Sequence, residues 1–444
     1  MPVTDRQQPA GYVELLHHNK NYRRLFIGEL ISQTGDWFNS VALFTLLLNL
    51  TGSGQAVALV LILKLLPTFF IGPVAGVVAD RVSRKAIMIV SDLLRGVIVL
   101  GFLLVDRPDR VWMVYALIAA EVLISTFFEP AKTASIPNIV EPRELVSANA
   151  LSSASWSVTL ALGAALGGLV TDAFGRNTAF TIDSLSFFFS AGFVSLVRFP
   201  AVPAREGMLR QAGSKRIAFA RATGLADFIE GARYLRSNLR VTALLLVKTG
   251  WGLGGGVLLL LAVYGKQLFP IGRDGSTSIG LLYAARGLGA MIGPIIAQRI
   301  TRGSQRTMRR AIAVAFVLSS VFYILFARAP WLAMAAFFVV GAHAGGSIQW
   351  AFSTALLQIA VPDAFRGRVF ALELALLTAA MSVSTYLTGW GLDYGGISPR
   401  QAATLLGIAF LVPAALWISI QRWLDRTETT AVIAQVVGEA GTAD

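Results

Sequence analysis

Twelve apolar runs of about twenty residues or more, separated by short polar loops, leave this chain few ways to fold. They fall at about 24–50, 55–79, 86–105, 111–135, 147–173, 177–198, 240–264, 277–299, 309–328, 331–354, 368–392 and 401–422. Each is long enough to cross a bilayer as a helix, the form in which a segment satisfies its own backbone N–H and C=O groups. Charged residues make up 14% of the 444, against roughly a quarter in soluble domains, too few to coat a water-exposed globule. The expected class is an all-α polytopic membrane protein with twelve transmembrane helices. The first run is too long, and lacks a cleavage site, for a signal peptide.

Composition removes several functions. Zero cysteines exclude disulfides and thiol catalysis, and the three histidines, His17, His18 and His343, do not make a zinc cluster. No Gly-x-x-x-x-Gly-Lys-[Ser/Thr] phosphate loop is present, and no nucleophile stands with a base. An ATP-driven pump and a membrane enzyme are therefore both disfavoured, and no cofactor or metal is expected.

The net charge of +13 suggests nucleic acid until its placement is considered. With the N-terminus inside, 27 Lys and Arg fall in cytoplasmic loops and ends and 7 outside. That is the positive-inside pattern, so the predicted partner is the lipid bilayer and not nucleic acid. Both termini are expected in the cytoplasm, with the protein in the plasma (inner) membrane. The one long connection, 199–239, carries Leu225, Phe228, Ile229, Ala232 and Leu235 at helical spacing, which suits an amphipathic helix on the inner leaflet. It divides the chain into an N-terminal six-helix bundle (1–198), a cytoplasmic linker (199–239), a C-terminal six-helix bundle (240–424) and a tail (425–444). A shift of 221 residues places Gly72-Pro73 on Gly293-Pro294, Arg81 on Arg302 and Lys85 on Arg306, so the halves read as a duplication.

Between runs two and three lies Gly72-Pro73-Val74-Ala75-Gly76-Val77-Val78-Ala79-Asp80-Arg81-Val82-Ser83-Arg84-Lys85. Its small residues predict close helix approach just before a basic turn. With Gly-x-Leu-Ala-Asp-Arg-x-Gly-Arg-Lys as the pattern, Gly76 to Lys85 resembles the signature of the major facilitator superfamily; Val78 and Ser83 depart from it, but every charge is kept. Ser32-Gln33-Thr34-Gly35-Asp36-Trp37, Glu129-Pro130-Ala131-Lys132, Asp183-Ser184-Leu185-Ser186-Phe187, Gly280-Leu281-Leu282-Tyr283-Ala284-Ala285-Arg286-Gly287 and Arg366-Gly367-Arg368-Val369 are similar to the drug:proton antiporter-3 branch, which includes macrolide-type and siderophore exporters. The resemblance implies two six-helix pseudo-repeats working by alternating access, and a monomer. The span 4 arginine of proton-coupled relatives is absent, with Glu121 in its region. Gly163-Ala164-Ala165-Leu166-Gly167-Gly168 lacks the proline of the span 5 element.

An anion at Asp80 can face a helix N-terminus, which the resemblance places in span 11. Gly76, Asp80, Arg81, Arg84 and Lys85, with Asp92 as a candidate partner, form the expected conformational latch; the plainer reading is a topogenic basic loop. Charges within spans are costly unless paired or hydrated. Asp36, Lys64 and Glu121 are the proton-coupling candidates, against a static ion network joining spans 1, 2 and 4. Asp183, Lys248 and Glu373 are further intramembrane charges, and His343 reads as a packed core histidine. Trp37, Phe127, Phe128, Trp251, Tyr283, Arg286 and Trp350 are the substrate-cavity candidates, although aromatics at helical spacing more often simply pack. Gly250, Gly252, Gly254, Gly255 and Gly256 predict a bend in span 7. The expected function is export of hydrophobic or amphipathic small molecules, driven by protons. A lipid or lysolipid flippase, a dedicated siderophore or metabolite carrier, an importer and a ligand sensor of the same fold stand as alternatives.

Overall fold

The computed structural model describes residues 10–199, 230, 233–301 and 304–422, without the side chains at 69, 73, 77, 80, 363 and 364. Most of the 199–239 connection and the 425–444 tail therefore lie outside the described residues. The described chain is helical, with no strand. A short helix α1 (Tyr12–His18) leads to α2 (Lys20–Thr51), α3 (Gly54–Arg81), α4 (Arg84–Leu100), α5 (Val111–Ile139), α6 (Leu145–Phe174) and α7 (Arg176–Ser195). After the connection come α8 (Leu239–Gly252), α9 (Gly256–Val263), α10 (Ser276–Thr301), α11 (Gln305–Arg328), α12 (Leu332–Ala360), α13 (Asp363–Asp393) and α14 (Pro399–Ala409), the last continuing helical to 422.

Eleven helical segments among the described residues are long and apolar enough to cross a membrane. The first expected span is the 32-residue α2, which is long enough but misses by composition. Its Ser32, Asp36, Asn39 and Ser40 face other helices instead of lipid, and Ser32, Asn39 and Ser40 are buried. The predicted spans overlap the observed helices closely; the widest difference is 331–354 against Leu332–Ala360.

Helices α2 to α7 pack among themselves, as do α8 to α14, and the bundles meet chiefly along α6 with α10 and α3 with α13. These contacts depend on missing side chains. A Cβ built on Gly280 would lie 2.5 Å from the Ala164 carbonyl oxygen, one on Gly168 2.7 Å from that of Ser276, and one on Gly287 2.5 Å from Ala161 N. Backbone thus touches backbone where the halves cross, as small residues permit in lipid, where no hydrophobic drive pulls helices together. Gly192, on α7, would meet nothing within 4 Å. We therefore expect Gly280→Ala to lower thermal stability by about 1–3 kcal/mol through overpacking. Gly192→Ala should leave it level or raise it by about 0.5–1 kcal/mol through helix propensity. Unfolding curves in one detergent compare them; equal shifts would refute the close-packed crossing.

The glycine-rich span 7 does break: α8 ends at Gly252 and α9 starts at Gly256. Ser384 on α13 bridges the gap, accepting from Gly256 N (3.1 Å) and donating to the Leu253 carbonyl (2.6 Å). Backbone groups released inside a membrane protein need such partners. Within the connection, one helical turn at 233–237 is described; Tyr234 stacks on Phe365 at 4.5 Å and Leu235 is buried.

Candidate functional site

Chain direction places the ends of α2, α5 and α7 that carry Lys20, Ile139 and Ser195 on one face, here the basic face, with the signature loop; Thr51, Phe174 and Asp393 mark the far face. About midway between them, α4 carries Arg95, only 8% exposed. Its guanidinium donates to Asp36 on α2 at 2.9 Å and lies 3.6 Å from Glu121 on α5. It also stands 4.0 Å from the ring centroid of Phe187 on α7. Asp36 and Glu121 are thus brought together, but by a cation other than Lys64. Lys64 instead donates to Ser40 Oγ at 2.9 Å, one turn of α2 away. Asp92 and Asp183, from α4 and α7, are fully buried beside this network. Four carboxyl groups therefore crowd around two cations. Both oxygens of Asp92, Asp183 Oδ2 and Glu121 Oε2 have no hydrogen-bond partner among the described residues.

Nearer the basic face, Lys132 on α5 is not the loop cation that charge counting suggested. It is buried and bonds Glu29 on α2 at 2.8 Å and Glu129 at 2.9 Å. Gln33 donates to Glu29 at 2.8 Å and accepts from Thr159 on α6 at 3.0 Å, so three helices share one polar knot. Arg95 and Glu29 were not singled out in the sequence, although each carries a charge within or beside an apolar run.

In the second bundle Lys248 and Glu373 form a buried pair at 2.8 Å, with Lys248 Nζ 4.4 Å from the Trp350 ring. Trp251 meets Trp350 edge-on at 5.9 Å. His343 is buried and hydrogen-bonded to Tyr323 Oη at 3.1 Å. Tyr283 sits 5.9 Å from Trp37 and 5.5 Å from Phe44, across the junction of the halves. Arg286, one turn on, faces Trp156 of α6 at 5.4 Å. Trp37, Tyr283 and Arg286 therefore share the junction, and Trp251 and Trp350 form a second aromatic group beside Lys248. Phe128 belongs to neither: it is buried in the core under α1, with Leu15, Tyr22, Leu25 and Met88, because it points inside its own bundle. Phe127, half-buried, is its neighbour on α5.

The signature loop differs from expectation in three respects. Gly72 and Gly76 face open space, where an added Cβ would meet nothing within 4 Å, so no close approach occurs there. Asp92 is not a partner of Arg81 or Arg84, since it lies two turns into α4 and inside the bundle. Lys85 serves its own half, donating to the carbonyls of Ser195 (2.6 Å) and Val197 (2.8 Å) at the end of α7. Arg84 reaches the Ala134 carbonyl at 2.6 Å, and Arg81 is exposed. The Asp80 side chain is outside the described residues.

The hydrogen bonds that join the bundles among the described residues lie instead at the far face. Asp393, at the end of α13, accepts from Ser53 Oγ (2.5 Å), Gly54 N (2.8 Å) and Gln55 N (2.9 Å), capping α3 of the other half. Asp172, at the end of α6, accepts from Arg273 N (2.5 Å) and Thr277 Oγ1 (3.0 Å) where the chain enters α10. A carboxylate at the free N–H groups of a helix start is stabilised by both hydrogen bonding and the helix dipole. Asp172 and Asp393 stand 221 residues apart, the shift that relates the signature glycines of the two halves. Lys266 adds a bond to Asn49 on the same face.

A model of the transmembrane secretion effector family matches residues 16–437. The chain is 28% identical over 426 residues to an uncharacterized MFS-type transporter, YfiS, of Bacillus subtilis (strain 168), spanning 91% of this chain and 93% of that one. It is 24% identical over 389 residues to macrolide efflux protein A of Streptococcus pyogenes, spanning 84% and 90%. A solved structure of a mutant of the nucleoside transporter NupG superposes with a TM-score of 0.71 at 12% identity, over 90% of this chain and 99% of the other, a likeness of fold alone. The chain belongs to the transmembrane secretion effector family, within the major facilitator superfamily of transporters.

Proposed function

We propose that the protein exports amphipathic small molecules by alternating access, with protons moving inward in exchange. One observation carries this reading: among the described residues the hydrogen bonds between the bundles lie at the far face, and an added Cβ at Gly72 or Gly76, toward the basic face, would meet nothing within 4 Å. That is one of the two states a rocking carrier must visit. In this reading the basic face is the cytoplasmic one, both chain ends are inside, and the protein works in the plasma membrane as a monomer. In the opposite state, Gly76, Asp80, Arg81 and Arg84 of the signature loop close the basic face, while Lys85 keeps α4 fixed to α7. The similarity to a macrolide efflux protein favours export over import.

Asp36 is the coupling group in this reading. Its side chain is 35% exposed, whereas Glu121 is 6% exposed, so of the two Asp36 is the carboxylate a proton can reach. Protonation removes the charge that holds Arg95, which then turns to Glu121 and the partnerless Asp92. A change in charge pairing at the centre of the first bundle biases how α2, α4 and α5 pack. Lys64, tied to α2 through Ser40, tunes the same field.

The test is flux in proteoliposomes loaded with a panel of dyes, macrolides and lysolipids, with and without an imposed pH gradient. Gradient-driven movement of several unrelated compounds is expected, and Asp36→Asn should abolish the gradient dependence while substrate binding persists. Movement of one lipid, indifferent to the gradient, would replace the exporter by a flippase. A gradient response unchanged in Asp36→Asn would clear Asp36 of coupling.

A further inference from the structure

Among the described residues, Arg286 is a charged side chain at the junction of the bundles that no carboxylate answers. It is 9% exposed, and no hydrogen bond or ion pair reaches its guanidinium among the described residues. Its guanidinium faces the ring of Trp156 on the opposite bundle, 5.4 Å away. Three intramembrane carboxylates are committed to other cations: Glu373 to Lys248, and Asp36 and Glu121 to Arg95. His343, in the same bundle, is bonded to Tyr323.

Arg95, Lys132 and Lys248, enclosed like Arg286, each meet a carboxylate at 2.8–2.9 Å, so the exception asks for a reason. Guanidinium stays ionised under all ordinary conditions and carries five N–H donors in a fixed planar fork. Burying it with none of them met is strongly unfavourable, and a protein keeps such a group where a ligand completes it. Two further features make the position a receptor. The nitrogens of Arg286 touch open space, whereas Nε of Arg95 is enclosed. The helix bearing it is packed tightly here, with Gly287 against the Ala161 backbone. One turn earlier, Tyr283 is held by its bond to the Leu258 carbonyl (2.8 Å) and stands 5.9 Å from Trp37.

We propose that Arg286 anchors an anionic group, a carboxylate or similar oxyanion, of an amphipathic substrate whose apolar part lies against Trp156, Trp37 and Tyr283. This rests on the transporter reading and narrows its substrate class from amphipathic to acidic amphipathic. The fork matches a carboxylate in two parallel hydrogen bonds, and the aromatic rings from both bundles give flat apolar surface beside it.

Protein in lipid nanodiscs, with no gradient applied, is titrated with 1-pyrenebutanoate, its methyl ester and 1-pyrenemethylammonium. Energy transfer from tryptophan to pyrene reads binding, corrected against empty nanodiscs. The carboxylate should bind about tenfold tighter than the ester, the size of one charge-assisted bond, and the cation weakest. Arg286→Gln should bring the carboxylate down to the affinity of the ester and leave the ester unchanged, with Arg286→Lys in between. Equal affinities in the parent protein, or a carboxylate preference that survives Arg286→Gln, would overturn the proposal. If Arg286→Gln elutes as aggregate, the parent's preference and Arg286→Lys decide. Binding without any flux in proteoliposomes would sink the transporter reading alone; flux without carboxylate preference would sink this one alone.

Discussion

Arg95→Gln is expected to cost about 3–5 kcal/mol of stability, the penalty for leaving buried charge without its partner, and to abolish transport. Arg95 holds Asp36 at 2.9 Å and stands 3.6 Å from Glu121, with Asp92 and Asp183 buried nearby. Glutamine keeps two donors but no charge, so four carboxyl groups are left with Lys64, which is already bonded to Ser40. Removing Asp36 as well should return part of the loss, because the second substitution deletes one of the groups the first one orphans. The cycle of Arg95→Gln, Asp36→Asn and the double variant, followed by thermal unfolding in one detergent, should show a coupling of about 1.5–3 kcal/mol. Additive losses would mean that the Arg95–Asp36 bond carries no special weight and that the network is a static filler. Since Asp36 is part-exposed, the coupling belongs at the lower end of that range.

That Arg95 escaped a reading of the sequence has a physical cause. Past the first turn of α4 it is the one cation, with Asp92 the one anion, and averaging over a span hides two charges among many methyl groups. The local signal was the pair Asp92 and Arg95, three apart on one helix face inside an apolar run, where neither charge can point to lipid. Glu29 and Lys132 were hidden differently. Both lie where a span nears the basic face, and counting cations by side treats such residues as loop charges, whereas they meet each other at 2.8 Å. The helices, their approximate ends and the break at Gly252–Gly256 were legible because length, apolar run and glycine content are local properties. Partner choice was not, because it depends on how α2, α4 and α5 are rotated about their axes. The same limit explains Phe128 and Asp92: each lies in the predicted helix, but facing inside its own bundle. The open space beside Gly72 and Gly76 is of another kind again, since a sequence compatible with two states does not say which one a structure will hold.

Substituting Asp172 and Asp393 together should open the far face. Each carboxylate caps a helix start in the opposite bundle, through two or three hydrogen bonds that an asparagine amide only partly replaces and without its charge. Loss of a cap costs about 1 kcal/mol, which multiplies the open population about fivefold for one site and about thirtyfold for two independent sites. The absence of native cysteine makes the opening directly readable. Ala58 is fully buried on α3 where Gly389 of α13 crosses it, so Ala58→Cys should label slowly with a maleimide in the parent protein. Asp172→Asn and Asp393→Asn should each accelerate labelling about fivefold, and the double variant about thirtyfold. Equal acceleration by the two singles would identify them as symmetry-related halves of one closure, as their 221-residue separation suggests. A double variant that labels no faster than the parent would mean that the α6–α10 and α3–α13 backbone contacts alone keep the face shut. The converse experiment replaces Ser53 and Asp393 by cysteine and oxidises them: flux should stop, and return on reduction. Together the two arms separate a carrier that must open this face to work from a bundle in which the aspartates only finish two helix ends.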